Sequence, residues 1–281
     1  MLERAFAKVN LTLSVGEKRP DGYHGVETVM TAVTLWDELR LEGGTGRDAL
    51  LCVPPMTERS ADNLAMRALA LFFRELGRPG DGVGLTLKKH IPAQAGLGGG
   101  SSDAAAVLRG LRALYAPALE DAQLEKMAAK LGSDVPYFIR GGTALATGRG
   151  EKLRPLPAMP PCWLVIIKPE ESHSTAAMYA AMDRAENRTR SDSRAVLAGL
   201  ESGDLAAIAA GLSNDFQQVL PADSAVPALA AALRRQGALN AQMTGSGSAV
   251  FGMFAAKAAA AAAAAALEEE GGWRTFLART V

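Results

Sequence analysis

The chain has 281 residues, 48% apolar and 21% charged, the balance of a folded globular protein and not of a disordered one. Thirty Lys and Arg offset thirty Asp and Glu, so the basic excess of a nucleic-acid-binding surface is missing. Cys52 and Cys162 are the only cysteines, too few for a disulfide framework or a four-ligand zinc site, and a reducing cytoplasm is the expected compartment.

The opening MLERAFAKVN turns polar too soon for a secretory leader. Over residues 5–15 apolar and polar side chains alternate, which predicts a strand with Lys8, Asn10 and Thr12 on one face. On this segment alone the pattern describes a solvated sheet face. A turn-like RPDGYHG (19–25) leads into 26–42, rich in Val, Thr and Leu and read as strand. Asp62 or Asn63 then caps a helix that runs to about Leu76, where Gly77 and Pro79 stop it. Val83, Leu85 and Leu87 alternate as another strand, followed by a glycine-rich turn and a helix carrying Val107, Leu108, Leu111, Leu114 and Tyr115. A short helix ends at Gly132.

Four prolines in PLPAMPP (155–161) cannot continue a helix or a central strand, so a domain boundary is expected there, dividing 1–154 from 162–281. CWLVIIK reads as a buried strand opening the second half. Helices follow at 175–184, 194–210 and 227–236, with strands at 249–254 and 273–277. Nine alanines at 258–266 favour an ordered helix, with Glu268 to Glu270 unfavourably placed at its end. The apolar run 258–267 is well below the ~18 residues that span a bilayer.

The most informative segment is IPAQAGLGGGSSDAAAV (91–107). Clustered glycines let successive N–H groups point into one concavity, and a helix N-terminus behind them attracts anions. Ser101 and Ser102 are placed to cap that helix and to offer hydroxyls to phosphate or Mg²⁺. No Lys follows the last glycine, so this is not a Walker loop, and the Rossmann spacing is absent. A second loop, MTGSGSAVFG (243–252), reads alone as a hairpin turn; two such loops in one chain suggest a shared ligand. Asp134, in LGSDVPYF, taken alone is a capping or turn residue.

Taken together, FAKVNLTL, DGYHGVETVM, PAQAGLGGGSSDAA, GSDVPYF and MTGSGSAVFG resemble the ordered motifs of the GHMP small-molecule kinases, from Ala5 to about Phe254. The long GLGGGSSDAA loop and the DGYH turn resemble the branch that phosphorylates a cytidine diphosphate-linked polyol in non-mevalonate isoprenoid synthesis. The resemblance implies an α+β fold, with an N-terminal domain like the second domain of ribosomal protein S5 and a ferredoxin-like C-terminal domain. It implies an ATP-dependent kinase using Mg²⁺, with Lys8 and Asp134 as catalytic pair. ATP phosphates are implied at Pro92, Ala93, Gln94, Ala95, Gly96, Leu97, Gly98, Gly99, Gly100, Ser101 and Ser102, and further nucleotide contacts at Asn63 and Lys89. Substrate contacts are implied at Asn10, Tyr23, His24 and Tyr179, the two tyrosines flanking the cytosine. Neither a membrane nor a nucleic-acid partner is implied. The chain departs from the family at Ser133, often Ala, and at NDFQ (214–217), often N-D-L-E; both are expected to affect only local packing. Three other readings are a mevalonate- or homoserine-type kinase, a non-catalytic ligand sensor of this fold, and a plain nucleotide-binding module. Loss of Lys8 or Asp134 would favour the sensor, and both residues are present.

Overall fold

Two long strands, β1 (Leu2–Lys18) and β2 (His24–Gly43), begin the chain. The structure is a computed structural model that describes residues 1–55 and 62–281. These residues form two compact units, one of Met1–Ala7, Trp36–Ala93 and Gly98–Gly141, the other of Lys8–Leu35, Gln94–Leu97 and Gly142–Val281. The chain therefore passes between units within β1, within β2 and inside the glycine-rich loop, as well as near residue 141.

In the first unit β3 (Ala49–Val53) runs parallel to β4 (Val83–Lys88), which pairs antiparallel with the second half of β2 through Leu39↔Leu87 and Leu41↔Leu85. Four helices accompany them: α1 (Leu64–Glu75), α2 (Gly99–Tyr115), α3 (Asp121–Ala129) and α4 (Tyr137–Arg140). Asn63 caps α1 as expected, its side chain accepting from Ala65 N. The helix buries Ala65, Ala68, Leu69 and Phe72 on its apolar side.

The second unit contains β5 (Thr143–Thr147), β6 (Lys152–Pro155), β7 (Trp163–Ile167), α5 (Thr175–Arg184), α6 (Arg194–Ser202), α7 (Leu205–Ala210), β8 (Ser213–Asn214), α8 (Val226–Arg235), β9 (Asn240–Met243), β10 (Val250–Phe254), α9 (Lys257–Gly271) and β11 (Thr275–Arg279). Strand β5 pairs with the first half of β2, and the short β8 lies parallel to the second half of β1. A separate four-stranded antiparallel sheet has the order β11-β7-β10-β9. Its core gathers Val165, Ile167, Met182, Leu233, Phe254 and Leu267, and the alternate Leu164 and Ile166 are buried too, which explains why CWLVII is apolar throughout.

Three expectations change. The span 194–210 is two helices, because Gly203 takes a left-handed conformation (φ 70°) and Asp204 caps a new helix by accepting from Ala206 N and Ala207 N. The acidic end of α9 is not left unfavourable, since Glu268 accepts from the amide and hydroxyl of Thr275. Strands β3, β5, β6, β8 and β9 have no counterpart in the sequence reading. Among the described residues no helix is long and apolar enough to cross a membrane.

Candidate active site

The polar face of β1 is not solvated. Lys8, Asn10, Thr12 and Ser14 are all buried, and a buried polar face persists only if its groups are paired. Lys8 Nζ donates to Asn10 Oδ1 (2.5 Å), Asn10 Nδ2 to Thr28 Oγ1 (2.8 Å) and Thr28 Oγ1 to Thr12 O (2.5 Å). Thr12 Oγ1 accepts from Val29 N and is 2.9 Å from Ser193 Oγ. What the alternation places on one face is thus an internal hydrogen-bonded stripe, with Lys8 at one end.

Asn10 joins this stripe to the loop between β9 and β10. Its Oδ1 also accepts from Gly245 N (2.8 Å) and Thr244 Oγ1 (3.1 Å), and its own N–H donates to Thr244 Oγ1 (3.0 Å). Gln242 Nε2 donates to Asn10 O and Leu11 O, while Asn214 Nδ2 donates to Met243 O and Gly245 O. The segment NDFQ does more than pack locally. Besides Asn214, Gln217 Oε1 accepts from Met243 N, and Asp215 accepts from Val15 N and Ser191 N. Sequence reasoning missed this support, and the only signal for it was a run of amide side chains facing a glycine loop far along the chain.

The two glycine-rich loops meet. Ala249 N donates to Ala95 O (3.2 Å), and Thr244 Oγ1 lies 3.3 Å from Gly96 O. Gly96 is left-handed (φ 73°), and a Cβ there would collide with the Thr244 carbonyl. Beside it Lys8 N donates to Leu97 O (3.0 Å), fixing the lysine's strand against the loop.

Helix α2 starts at Gly99 with Gly98 as a left-handed N-cap, earlier than the serines. Ser101 and Ser102 are therefore not caps; they lie in the first turn, and Ser102 Oγ donates to Phe6 O (2.7 Å). No side chain caps the helix and no acid sits in its first turn, so the leading amides and the helix dipole remain available to an anion.

Lys89 Nζ binds two carboxylates, Asp37 Oδ2 (2.5 Å) and Asp103 Oδ2 (2.6 Å). Burial alone would lower the ammonium's pKa, but the two carboxylates outweigh it and hold it above the usual lysine value. Burial pushes Asp103 up to about 7; the Asp37 charge adds to this while Lys89 pulls against it. Among the described residues Asp103 Oδ1 has no hydrogen-bond partner, and Asp37 also accepts from His90 N and Ile91 N. A Cβ on Gly99 would stand 3.5 Å from Lys89 Nζ and 3.1 Å from Ile91 Cγ2, so this cluster lies against the first turn of α2.

Asp134 is half-buried in the turn before α4. Tyr137 has its hydroxyl pKa raised, by burial first and by the charge of Asp134 second. At the start of β2 the buried His24 stacks on Tyr179 (centroids 4.8 Å, 18°), and Tyr179 meets Phe216 edge-on. Tyr23 is exposed and carries the Arg149 guanidinium over its ring at 4.9 Å. A cavity of about 830 Å³ lies nearby along the chain, its lining including Gly16, Arg19, Gly25, Val26, Arg188 and Arg190.

Comparison with known proteins defines the class. The family model described as "GHMP kinases N terminal domain" matches residues 63–142, and "GHMP kinases C terminal" matches 196–272. Solved structures of homoserine kinase from Cytophaga hutchinsonii (TM-score 0.72, 16% identical, covering 100% of this chain and 94% of that one) and mevalonate kinase from L. major (0.75, 18%, 100% and 95%) share the fold. The chain is a small-molecule kinase of the GHMP type, with ATP as co-substrate.

Within that class the likeness is sharper. A curated relative from Symbiobacterium thermophilum is 44% identical over 249 residues, spanning 88% of each chain. One from Moorella thermoacetica is 44% identical over 259, spanning 89% of each. Both bear the name 4-diphosphocytidyl-2-C-methyl-D-erythritol kinase. A crystal structure of 4-(cytidine 5'-diphospho)-2C-methyl-D-erythritol kinase superposes with TM-score 0.81 at 35% identity, covering 100% of this chain and 99% of that one. The chain belongs to the 4-diphosphocytidyl-2-C-methyl-D-erythritol kinase family.

Proposed function

We propose that the chain transfers the γ-phosphoryl group of ATP to the 2-hydroxyl of 4-diphosphocytidyl-2-C-methyl-D-erythritol in the cytoplasm, giving ADP and the 2-phosphate. The observation that carries this reading is the 44% identity to kinases of that name over nearly nine-tenths of the chain, against 16–18% for the homoserine and mevalonate kinases. Asp134 accepts the hydroxyl proton as the alcohol oxygen bonds to phosphorus and the bond to the ADP oxygen breaks. Lys8, buried and oriented by Asn10, stabilises charge on the transferring group. The loop 92–102 holds the phosphates, chiefly through backbone N–H groups ahead of Ser102, with Asn63 and Lys89 on the rest of the nucleotide. Magnesium is read as arriving on the triphosphate, as part of the substrate.

Tyr23 and Tyr179 stack on the cytosine and His24 reads its edge, while Asn10 touches the polyol. The exposure of Tyr23 and the seating of His24 on Tyr179 in one corner support the base end of this reading. Residues 155–161 are read as the boundary between two kinase domains, 1–154 and 162–281, supported by family matches falling on either side. The test is product formation from Mg-ATP and a panel of alcohols. Phosphate transfer to the cytidine-linked polyol is expected; efficient use of mevalonate or homoserine instead would overturn the assignment.

A further inference from the structure

Helix α5 presents two functional groups one turn apart on the same face, Tyr179 and Asp183. The ring stacks on the His24 imidazole, and the carboxylate reaches the same imidazole at its edge, with His24 Nε2 2.6 Å from Asp183 Oδ1. Lys18 Nζ, from the end of β1, lies 3.4 Å from the other oxygen, Asp183 Oδ2. The hydrogen bond from His24 holds the Asp183 carboxyl below its usual range, with burial opposing and Lys18 adding to the effect. An ionised carboxylate only accepts hydrogen bonds, so the proton between the two groups belongs to Nε2. In the neutral imidazole that leaves Nδ1 with a lone pair, as an acceptor.

The consequence concerns recognition of a base. Cytosine and uracil have the same ring shape and stack equally well, so stacking on tyrosines cannot separate them. They differ at position 4, where cytosine bears an amino donor and uracil a carbonyl acceptor. An imidazole nitrogen fixed as an acceptor pairs with the first and opposes the second. A site built to satisfy one such group rejects the mismatched analogue, because both partners lose water without gaining a bond.

We propose that Asp183 is a specificity-determining positioning residue, which fixes His24 with its proton on Nε2 so that Nδ1 selects the amino group of cytosine over the carbonyl of uracil. This rests on the reading of His24 as the residue that meets the base. Tyr179 completes the device by holding the ring plane, so that only the tautomer is left for Asp183 to decide.

The chain has three histidines, so the imidazole nitrogens can be followed individually by ¹⁵N NMR, with His24→Gln identifying the His24 signals. In the unliganded protein, the neutral imidazole of His24 should show a protonated Nε2 and an unprotonated Nδ1, and addition of CMP should perturb Nδ1 far more than addition of UMP. Calorimetry should give CMP a preference over UMP of about tenfold or more. Asp183→Asn keeps the size of the side chain but presents either an oxygen or an amide N–H to the ring, so the tautomer is released, as happens when a triad aspartate is made asparagine. In that variant the CMP/UMP preference should fall to about threefold or less, while the pH 8 melting temperature and the affinity for ATP stay near those of the parent. A neutral His24 protonated on Nδ1 in the parent, or an Asp183→Asn protein that keeps the full preference, overturns the proposal. Turnover of the cytidine-linked polyol by the parent is read separately: if it is absent, the functional assignment fails; if it persists while the preference is insensitive to Asp183, only the tautomer device fails.

Discussion

Two glycine-rich loops of similar composition end up with opposite uses of their backbone. In residues 92–102 the glycines deliver the chain to the start of α2 with no side-chain cap among the described residues and no acidic first turn, so donors are left for a ligand. In the loop between β9 and β10 the donors are directed inward: Gly245 N to Asn10, Gly247 N to Thr244 O, Thr244 N to Ala249 O and Ala249 N to Ala95 O. Its hydroxyls are similarly engaged, Ser248 Oγ with Glu171 O and Ser246 Oγ with Thr175 Oγ1. Glycine density therefore identifies a place where backbone comes close to something. Accounting for each N–H decides whether that something is a ligand or the protein itself. On this accounting the second loop braces the first, and the first is the one proposed to hold phosphate.

If the loops only hold, removing the proton acceptor must stop turnover and leave nucleotide binding alone. Asp134→Asn should lower kcat by roughly 10²–10⁴ with the ATP dissociation constant nearly unchanged, and Lys8→Ala should also act on kcat first. Steady-state kinetics beside ATP calorimetry checks both; near-normal kcat in Asp134→Asn removes its assigned role. The loops themselves separate next. Gly99→Val pushes a branched side chain toward Ile91 and into the first turn of α2, and should weaken ATP by about tenfold or more, ~1.4 kcal/mol, in a folded protein. Unchanged ATP binding there would return the first loop to a mere turn.

Thr244→Val in the bracing loop should do the reverse. It leaves the buried Asn10 N–H without its acceptor, a cost of about 1–3 kcal/mol in stability, while ATP affinity moves by less than about threefold. Thermal unfolding and an ATP titration distinguish the two outcomes, and a large loss of ATP affinity would show that the second loop also touches the nucleotide.

The smallest effect concerns Asp103, beneath the first loop. Its folded pKa of about 7 lies above the ordinary 3.8, so between these values the folded protein binds more protons than the unfolded chain. Its contribution is fully present below about pH 4 and declines as pH rises toward 7. The melting temperature of Asp103→Asn relative to the parent should therefore rise from pH 5 to pH 8, whatever the loss of the Lys89 ion pair costs at every pH; a difference that grows toward acid pH would reverse the sign assigned here.

Much of this was legible in order along the chain. The period of two in β1 located Lys8 and Asn10 on a common face, and the capping Asn63 located α1, because both signals are local. Reading that face as solvated failed because alternation reports which side chains go together and says nothing of what covers them. The caps of α2 were misassigned to serines because the helix begins earlier, at Gly99, behind a left-handed Gly98 and with no side-chain cap. Asp37 and Asp183 were invisible for another reason: their partners stand 52 and 159 residues away, and a lone aspartate carries no mark of a distant cation or imidazole. Strand β9, reading NAQM, is too short and polar to declare itself.

The brace on Asn10 also has a bearing on synthesis. Its hydrogen bonds to Thr244 and Gly245 close separations of 234 and 235 residues, among the longest loops the chain can form. Lys8 is among the first residues to leave the ribosome, yet the amide that orients it lacks its Thr244 and Gly245 partners until some six-sevenths of the polypeptide has been made. An interrupted or clipped chain ending before residue 244 would carry Lys8, residues 92–102 and Asp134 without the hydrogen bonds that set Asn10.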